Sequence, residues 1–296
     1  EEVIADQPVQ VTLSTSGLLG RGSPDGEFTA KPGRHDVIAQ SVETNAYSPI
    51  SAITDQGRLL AVRCREVPEM VRGSRGASVT EMFSLSRGER VVGLFGEGQD
   101  PVVIATRNGI VKRLDAESIR RLRSGSPVIN LKGDDRVVAG FVASEDSEIL
   151  MVASDGQALR TSATGISIQG AGAAGVAGMK LKAGSRLVAA GPVEFGTIVL
   201  LVSDDGAVKV TDAAEVPTKG RATGGVRTVK WRNFETTATF AWVGRNQQMA
   251  AIVLEDGDSR KVNPTPVPLT LETTRRDGMT TDLGHQVTVV GEYRFR

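Results

Sequence analysis

Paired carboxylates are the first residues of this sequence that could do chemistry. Asp134-Asp135, Asp204-Asp205 and Glu255-Asp256 place two acids side by side, an arrangement that general acid–base catalysis can use. Each pair lies beside a turn, in a corresponding part of an internal repeat, where Asp commonly caps and shapes the turn backbone. The position of these pairs therefore favours a structural role over catalysis.

Other residues with catalytic or ligating chemistry are few and far apart. His35 and His285 are 250 residues apart, and neither has a Cys or another suitable partner nearby, which argues against a zinc site. The glycine-rich stretch 170–178 contains no Lys and is followed by no helix pattern, unlike a nucleotide-binding loop. Nothing around Tyr47 or Tyr293 suggests a nucleophile. We therefore expect a binding module with no catalytic residue and no metal site.

Composition narrows the class of protein. The single cysteine, Cys64, excludes an internal disulfide framework and fits a reducing compartment. No run of about 18 apolar residues occurs, so we expect no membrane segment and a cytoplasmic location. The chain begins with Glu1 instead of Met, which suggests a fragment or a processed piece.

The net charge is zero, but the charges are sorted along the chain. Residues 107–132 carry seven basic and two acidic side chains, 206–232 carry six and two, and 57–79 carry five and two. Residues 1–6 and 145–155 contain acidic charges only. A clustered basic surface indicates binding to a polyanion even when the whole chain is neutral.

The basic clusters belong to an internal repeat. Six copies each open with an apolar strand, turn at an Asn-Gly, Asp-Gly or similar pair, and return along a strand that mostly carries Lys or Arg. The anchor glycines of the turns are Gly17, Gly57, Gly109, Gly156, Gly206 and Gly257. Consecutive anchors are 40, 52, 47, 50 and 51 residues apart. A period near 50 predicts a radial array of small sheets.

A second glycine closes a loop 19 residues after three of the anchors, at Gly76, Gly175 and Gly225. Two further strands follow each loop, so we expect about four strands per copy, the content of a propeller blade. The predicted fold is all-β, a single six-bladed domain over residues 1–296. The expected blades are approximately 7–48, 49–99, 100–146, 147–195, 196–246 and 247–296.

Four stretches of sequence carry a resemblance to a known family: 67–76, 104–113, 154–160 and 216–226. They resemble the repeats of the C-terminal domain of the DNA gyrase A subunit, which topoisomerase IV A subunits share. The resemblance runs through six repeats and nearly the whole chain. It implies a six-bladed β-pinwheel in which a strand from each blade is exchanged with its neighbour.

The resemblance also implies a function. Such domains wrap or bend duplex DNA around a basic rim and present a segment for ATP-dependent strand passage by a type II topoisomerase. The catalytic tyrosine lies in the preceding part of the same A subunit, and the ATPase is the partner B subunit. We therefore expect no cofactor in this domain, ATP and Mg²⁺ in the holoenzyme, and a nucleoid-associated cytoplasmic protein.

One departure from the family bears on which enzyme this is. Gyrases carry a Gln-Arg-Arg-Gly-Gly-Lys-Gly box in the first blade, and residues 28–36 lack it here. Similar Arg-Gly stretches occur at 72–76 and 219–225, in the second and fifth copies. The sequence therefore leans towards a topoisomerase IV-like subunit or a diverged gyrase. The sixth copy is irregular, and its prolines at 264, 266 and 268 predict a loop-like edge.

The expected DNA contacts are the basic residues of the returning strands and the Gly-rich loops, since glycine lets the backbone approach phosphates closely. They are Lys31, Arg34, Arg58, Arg63, Arg72, Arg75, Lys112, Arg113, Arg120, Arg123, Arg160, Lys209, Lys219, Arg221 and Arg227. The fourth copy has almost no basic loop, so a break in the track is expected there.

Two other functions fit a propeller. One is a protein-interaction scaffold of the chromatin-factor kind, which would bind partners through its faces. The other is an enzyme with a site in the central channel, which the apolar innermost strands disfavour. We also expect residues 287–291 to pair with residues 9–13 and close the ring.

Overall fold

The computed structural model describes residues 6–25, 36–71, 74–245, 249–254, 267–269 and 272–292. Strands dominate these ranges. In chain order they are β1 (Pro8–Ser14), β2 (Leu18–Gly22), β3 (Ile38–Asn45), β4 (Pro49–Thr54), β5 (Leu59–Arg63), β6 (Ala77–Ser78), β7 (Val91–Gly96), β8 (Val102–Thr106), β9 (Ile110–Leu114), β10 (Val137–Val142), β11 (Glu148–Ala153), β12 (Gln157–Ser162), β13 (Val176–Ala177), β14 (Leu187–Val193), β15 (Thr197–Ser203), β16 (Val208–Asp212), β17 (Val226–Arg227), β18 (Ala238–Arg245), β19 (Met249–Leu254), β20 (Val267–Leu269) and β21 (Gln286–Glu292). The helices are short: α1 (Val79–Phe83), α2 (Ala116–Arg121) and 3-10 turns at Cys64–Glu66, Ala163–Gly165 and Ala213–Glu215.

The described strands form five antiparallel sheets. Their strand orders are β20-β19-β21-β3-β1-β2-β6, β5-β4-β7, β10-β8-β9-β13, β14-β11-β12-β17 and β16-β15-β18. The all-β, propeller-like class is confirmed, but the prediction of six blades is wrong, because the structure has five. The strands of the sixth and first copies join into one sheet through a backbone pairing of Glu292 with Ile38.

The last strand of each copy lines the centre of the ring. Strands β3, β7, β10, β14, β18 and β21 contact one another in that order, and β21 packs back on β3. The ring is therefore closed. The predicted partner of residues 287–291 is wrong, however, because β2 and β3 already occupy both edges of β1.

The anchor glycines shape the hairpin turns as the sequence predicts. Their φ angles are 84°, 77°, 82°, 86° and 77° at Gly17, Gly57, Gly109, Gly156 and Gly206. Positive φ is a conformation that glycine adopts without strain. Gly257 lies outside the described residues.

Neighbouring copies exchange short strands. Strand β6 pairs with β2, β13 with β9, and β17 with β12, so each loop delivers a strand to the preceding copy. Gly225 stands at the start of one exchanged strand with a φ of 72°. A Cβ atom at this position would overlap the carbonyl group of Ala158. Glycine is therefore required where the incoming loop meets the receiving blade.

Small residues also let the innermost strands pack closely. A Cβ atom on Gly93 in β7 would overlap the backbone of Gly140 in β10. Apolar side chains fill the space between blades farther out; for example, Leu150 of β11 shares a cluster with Val199 of β15. The blades thus form a rigid ring, from which loops and turns project.

Candidate nucleic-acid interface

Lys112 is one predicted DNA contact that the structure places inside a blade. Its side chain is fully buried. The Nζ atom donates to the carbonyl oxygens of Gly170 at 2.7 Å, Ala171 at 3.3 Å and Ala173 at 3.0 Å. Burial lowers the pKa of Lys112 to about 8. Lys112 therefore holds the glycine-rich loop of the next copy and does not present its charge to DNA.

Lys209 occupies the equivalent position in β16, three residues after its anchor glycine, and is also buried. Its Nζ donates to the Thr211 hydroxyl at 2.7 Å and to the carbonyl oxygens of Val210 at 3.2 Å and Thr274 at 3.5 Å. Burial lowers its pKa to about 8. The prediction that Lys209 contacts DNA is corrected for the same reason.

Two predicted arginines tie one copy to the next. Arg113 is buried, and its Nε donates to the Ile166 carbonyl at 2.6 Å. Arg160 is half-buried, and its Nη1 donates to the Ala213 carbonyl at 3.1 Å. Both accepting carbonyls lie at the 3-10 turn of the following copy. Arg113 is buried and is therefore removed from the expected DNA contacts. Arg160 links two neighbouring blades through its hydrogen bond to Ala213.

Sequence reasoning missed a third arginine of this kind. Arg21 donates from Nε to the Val67 carbonyl at 2.8 Å. It follows Gly17 by four residues, the same interval that separates Arg113 from Gly109 and Arg160 from Gly156. That shared interval was the signal that could have identified a structural role.

Arg58 is held by a buried carboxylate. Its Nε and Nη2 donate to the two oxygens of Glu89 at 2.8 and 2.6 Å. The hydrogen bond from Arg58 is the main reason that the pKa of Glu89 falls to about 2. Arg160 makes a comparable ion pair with Glu148. The positive charges of Arg58 and Arg160 are therefore neutralised by carboxylates of the same chain.

The remaining predicted contacts within the described ranges are exposed, and we call them the rim group. They are Arg63, Arg75, Arg120, Arg123, Lys219, Arg221 and Arg227. None of their side chains forms an ion pair with the described part of the chain. Arg63 ends β5, Arg120 lies in α2 and Arg123 just after it, and the other four lie before or within the exchanged strands β6 and β17. Lys31, Arg34 and Arg72 lie outside the described residues.

Part of the rim group lines an open cleft of about 720 Å³ beside β12. Arg221 is anchored there, because its Nε and Nη1 donate to the carbonyls of Gly165 at 2.8 Å and Ala177 at 3.0 Å. Lys219 and the hydroxyl-bearing residues 161–162 line the same cleft. An oriented guanidinium beside a free ammonium and hydroxyl groups is suited to binding a phosphate.

The structure adds basic residues that the sequence reasoning missed. Arg275 and Arg276 lie on the loop that covers the outer edge of the fifth copy, and Nη1 of Arg276 donates to the Arg227 carbonyl at 2.8 Å. Lys230 bonds through its amide to Gly278 of that loop at 2.8 Å. Gly278 follows its anchor by 21 residues instead of 19, so the regular spacing did not reveal this loop.

The paired carboxylates shape turns. Asp135 accepts from the amides of Asn108 at 3.0 Å and Arg136 at 2.8 Å. Asp204 accepts from the amide and the hydroxyl of Thr236. Glu255-Asp256 lies outside the described residues. Among those that are described, no three His, Cys, Asp or Glu side chains group as metal ligands, and no helix has the length and apolarity to cross a membrane.

Sequence comparison identifies relatives of the chain. The family model described as DNA gyrase C-terminal domain, beta-propeller, matches residues 50–95, 100–144, 147–194 and 197–235. The DNA gyrase A subunit of Mycobacterium bovis is 32% identical over 197 residues, which are 61% of this chain and 24% of that protein. The match thus spans about a quarter of the length of this curated relative.

Solved structures share the fold. The C-terminal domain of DNA topoisomerase IV has a TM-score of 0.77 and 22% identity, covering 97% of this chain and 94% of that one. The DNA gyrase A C-terminal domain has a TM-score of 0.69 and 18% identity, covering 97% and 100%. The matched repeats and the shared ring architecture together show that the chain belongs to the family of DNA gyrase A C-terminal β-propeller domains.

Proposed function

We propose that this chain is the non-catalytic DNA-bending or DNA-wrapping domain in the A subunit of a type II topoisomerase. The observation that carries the proposal is the rim group, whose exposed cations lie beside the outer edges of the first, second and fourth copies without intramolecular ion pairs in the described part of the chain. A curved row of cations can follow the phosphate backbone of duplex DNA without reading its bases, and it gains affinity by releasing counterions.

Bending DNA requires contacts from several blades. Smooth bending of a 20–30 base-pair site by 40–90° costs on the order of 1–6 kcal/mol. The rim group supplies cations beside the exchanged strands β6 and β17 and at the edge of the second copy. It is interrupted beside β13, where residues 169–175 contain no Lys or Arg. The DNA path is therefore supported in two stretches with a gap between them.

In the whole enzyme, this domain binds and positions a duplex segment for ATP-dependent strand passage. The catalytic tyrosine belongs to another part of the same subunit, the B subunit supplies the ATPase, and the holoenzyme uses ATP and Mg²⁺ in the cytoplasm. The absence of the gyrase box from residues 28–36 supports a topoisomerase IV-like subunit or a diverged gyrase.

The rim group is tested by removing three of its unpaired cations. In the variant R75Q/R123Q/K219Q, the logarithm of DNA affinity should fall less steeply with the logarithm of salt concentration, by about 0.9 for each phosphate that the variant no longer neutralises. Binding of a random-sequence duplex of about 40 base pairs is measured across a salt series. The control R121Q removes an arginine already paired with Glu117. An unchanged slope in the triple variant would reject the rim group.

Wrapping and simple bending are separated by topology. The domain is incubated with nicked circular DNA, the nick is ligated and the linking number is measured. A domain-dependent shift supports chiral wrapping and a gyrase-like role, whereas binding without a shift supports bending in a topoisomerase IV-like enzyme. Failure to bind any duplex would overturn the DNA function and favour the protein-interaction scaffold.

A further inference from the structure

A second set of exposed cations lies away from the rim, where the innermost strands begin. Arg90, Arg136 and Arg186 each immediately precede one of these strands, β7, β10 and β14. All three side chains are exposed. The same structural position is therefore basic in three consecutive copies.

The backbone of these arginines is fixed by a continuous series of hydrogen bonds. The carbonyl of each arginine accepts a hydrogen bond from a backbone amide in the hairpin turn of its own copy. In the first two of these three copies, the carbonyl of that same turn residue accepts a hydrogen bond from an amide of the next innermost strand. The bonds, in order around the ring, are Asp55 N to Arg90 O at 2.9 Å, Val137 N to Asp55 O at 2.9 Å, Arg107 N to Arg136 O at 2.7 Å, Leu187 N to Arg107 O at 2.8 Å and Ser154 N to Arg186 O at 2.8 Å. The three side chains thus project from a rigid arc.

The turns beside these arginines add further positive charge. Arg87, Lys132 and Lys182 are exposed in the turns that precede Arg90, Arg136 and Arg186, and we call the six residues the turn arc. Nearby carboxylates are largely engaged: Glu89 is buried against Arg58, and Asp135 binds backbone amides. Lys182 alone of the six makes an ion pair in the described part of the chain, with Asp155 at 3.7 Å.

The opposite ends of the same three strands are acidic. The loops that follow β7, β10 and β14 expose Glu97, Asp100, Glu145, Asp146 and Glu194. Arg113 and Arg245 pair with Glu145 and Glu194 and neutralise part of this charge. Exposed cations therefore precede these three strands and exposed carboxylates follow them, so an anion is attracted to the turn arc.

The chemistry of the turn arc favours nucleic acid over a protein partner. Protein interfaces are usually built around a buried aromatic or aliphatic core. Of the large exposed apolar residues of the described chain, only Phe234 lies in a corresponding turn, the one before β18, and a single aromatic side chain does not make such a core. Arginines repeated at one position per blade match the repeated phosphates of a duplex.

We infer that the turn arc binds a second DNA duplex while the rim group holds the first. This inference rests on the proposed function and adds a bridging activity to it. The three arginines follow one another along the hydrogen-bonded series of adjoining strands, so together they can contact neighbouring phosphates of one duplex. Three strand spacings, about 14 Å, separate the innermost strand from a fourth, outermost strand, which leaves the turn arc free when a duplex follows the rim.

The test compares R90Q/R136Q/R186Q with a control that loses the same charge elsewhere, R65Q/R121Q/R245Q. The control arginines are at the opposite ends of the blades. The backbone hydrogen bonds of the test arginines are retained by glutamine, and Arg136 adds one side-chain bond, from Nη1 to the Asp135 carbonyl at 3.1 Å. The domain is added to an immobilised 40 base-pair duplex, and capture of a second, fluorescent duplex is measured. Light scattering confirms that the protein is monomeric at the concentrations used.

The wild-type domain and the control should capture the second duplex, and the turn-arc variant should lose at least five-fold of this capture while keeping its affinity for a single duplex within two-fold. R90K/R136K/R186K should restore capture. Bridging by the glutamine variant at the wild-type level would overturn the inference, as would a wild-type domain that binds one duplex but never bridges. Competitors give a further check: capture that is abolished by added polyglutamate but not by excess unlabelled duplex would also overturn the inference. A wild-type domain that binds no duplex would instead overturn the proposed function.

Discussion

At the scale of single residues, identical side chains have opposite roles according to their position in a blade. Lys112 is buried against three carbonyl groups, whereas Lys219 stands free at the edge of a cleft. The basic residues of the returning strand β9 were predicted to contact DNA. The structure covers Lys112 with a loop from the next copy, which no pattern within one copy can reveal.

The buried lysines give stability an unusual dependence on pH. The folded pKa values of Lys112 and Lys209 are about 8, below the ordinary value of 10.5. Between these values the unfolded chain binds more protons than the folded chain, so the free energy of unfolding should rise as pH increases from about 8 to 10.5. Urea unfolding across this range measures the rise.

Removing the two charges provides the control. The double variant K112M/K209M should show a flatter pH profile over the same range, because the groups that titrate differently in the two states are gone. An equally steep rise in the double variant would assign the pH dependence to other groups.

At the scale of strands and loops, glycine positions were the most informative part of the sequence. The anchor glycines predicted the hairpin turns, and the second set marked where exchanged strands begin. These predictions succeeded because positive φ and close backbone approach both depend on one residue type. The number of blades depended instead on the pairing of Glu292 with Ile38, two residues far apart in sequence that no local signal connects.

Strand exchange makes Gly225 a sensitive position. The substitution Gly225→Ala should lower the free energy of unfolding by at least about 1 kcal/mol, because φ is positive and the added Cβ overlaps the receiving strand. Gly220→Ala, in the same loop, should have little effect, since no atom lies within 4 Å of its added Cβ. Urea unfolding compares the two variants, and equal stabilities would contradict this account of the exchange.

At the scale of the whole molecule, the neutral chain separates its charges by location. The turn arc and the acidic loops lie at opposite ends of the innermost strands, although the formal net charge is zero, and Arg120 of the rim group contacts one acidic loop at the Gly98 carbonyl. Sequence clustering indicated a basic surface, but it could not separate rim from face. That distinction depends on which strand of each blade is innermost.

Filling the gap in the rim should strengthen DNA binding. Gly172 lies in the exposed loop before β13, with no atom within 4 Å of an added Cβ. Gly172→Arg should raise duplex affinity at low salt and steepen the salt dependence by about 0.9 for one newly neutralised phosphate. Gly172→Gln is the matched uncharged variant. Equal salt slopes for the two would place this loop outside the DNA path.

Closure of the ring also has a mechanical consequence. Between described residues, strand β3 is held on one edge by seven residue pairs to β1 and on the other by one pair to β21. A pulling force applied between Pro8 and Glu292 therefore loads two seams of very different strength. The β3–β21 pairing should break before the β3–β1 pairing, so the ring should open at that one place while the other sheets stay intact.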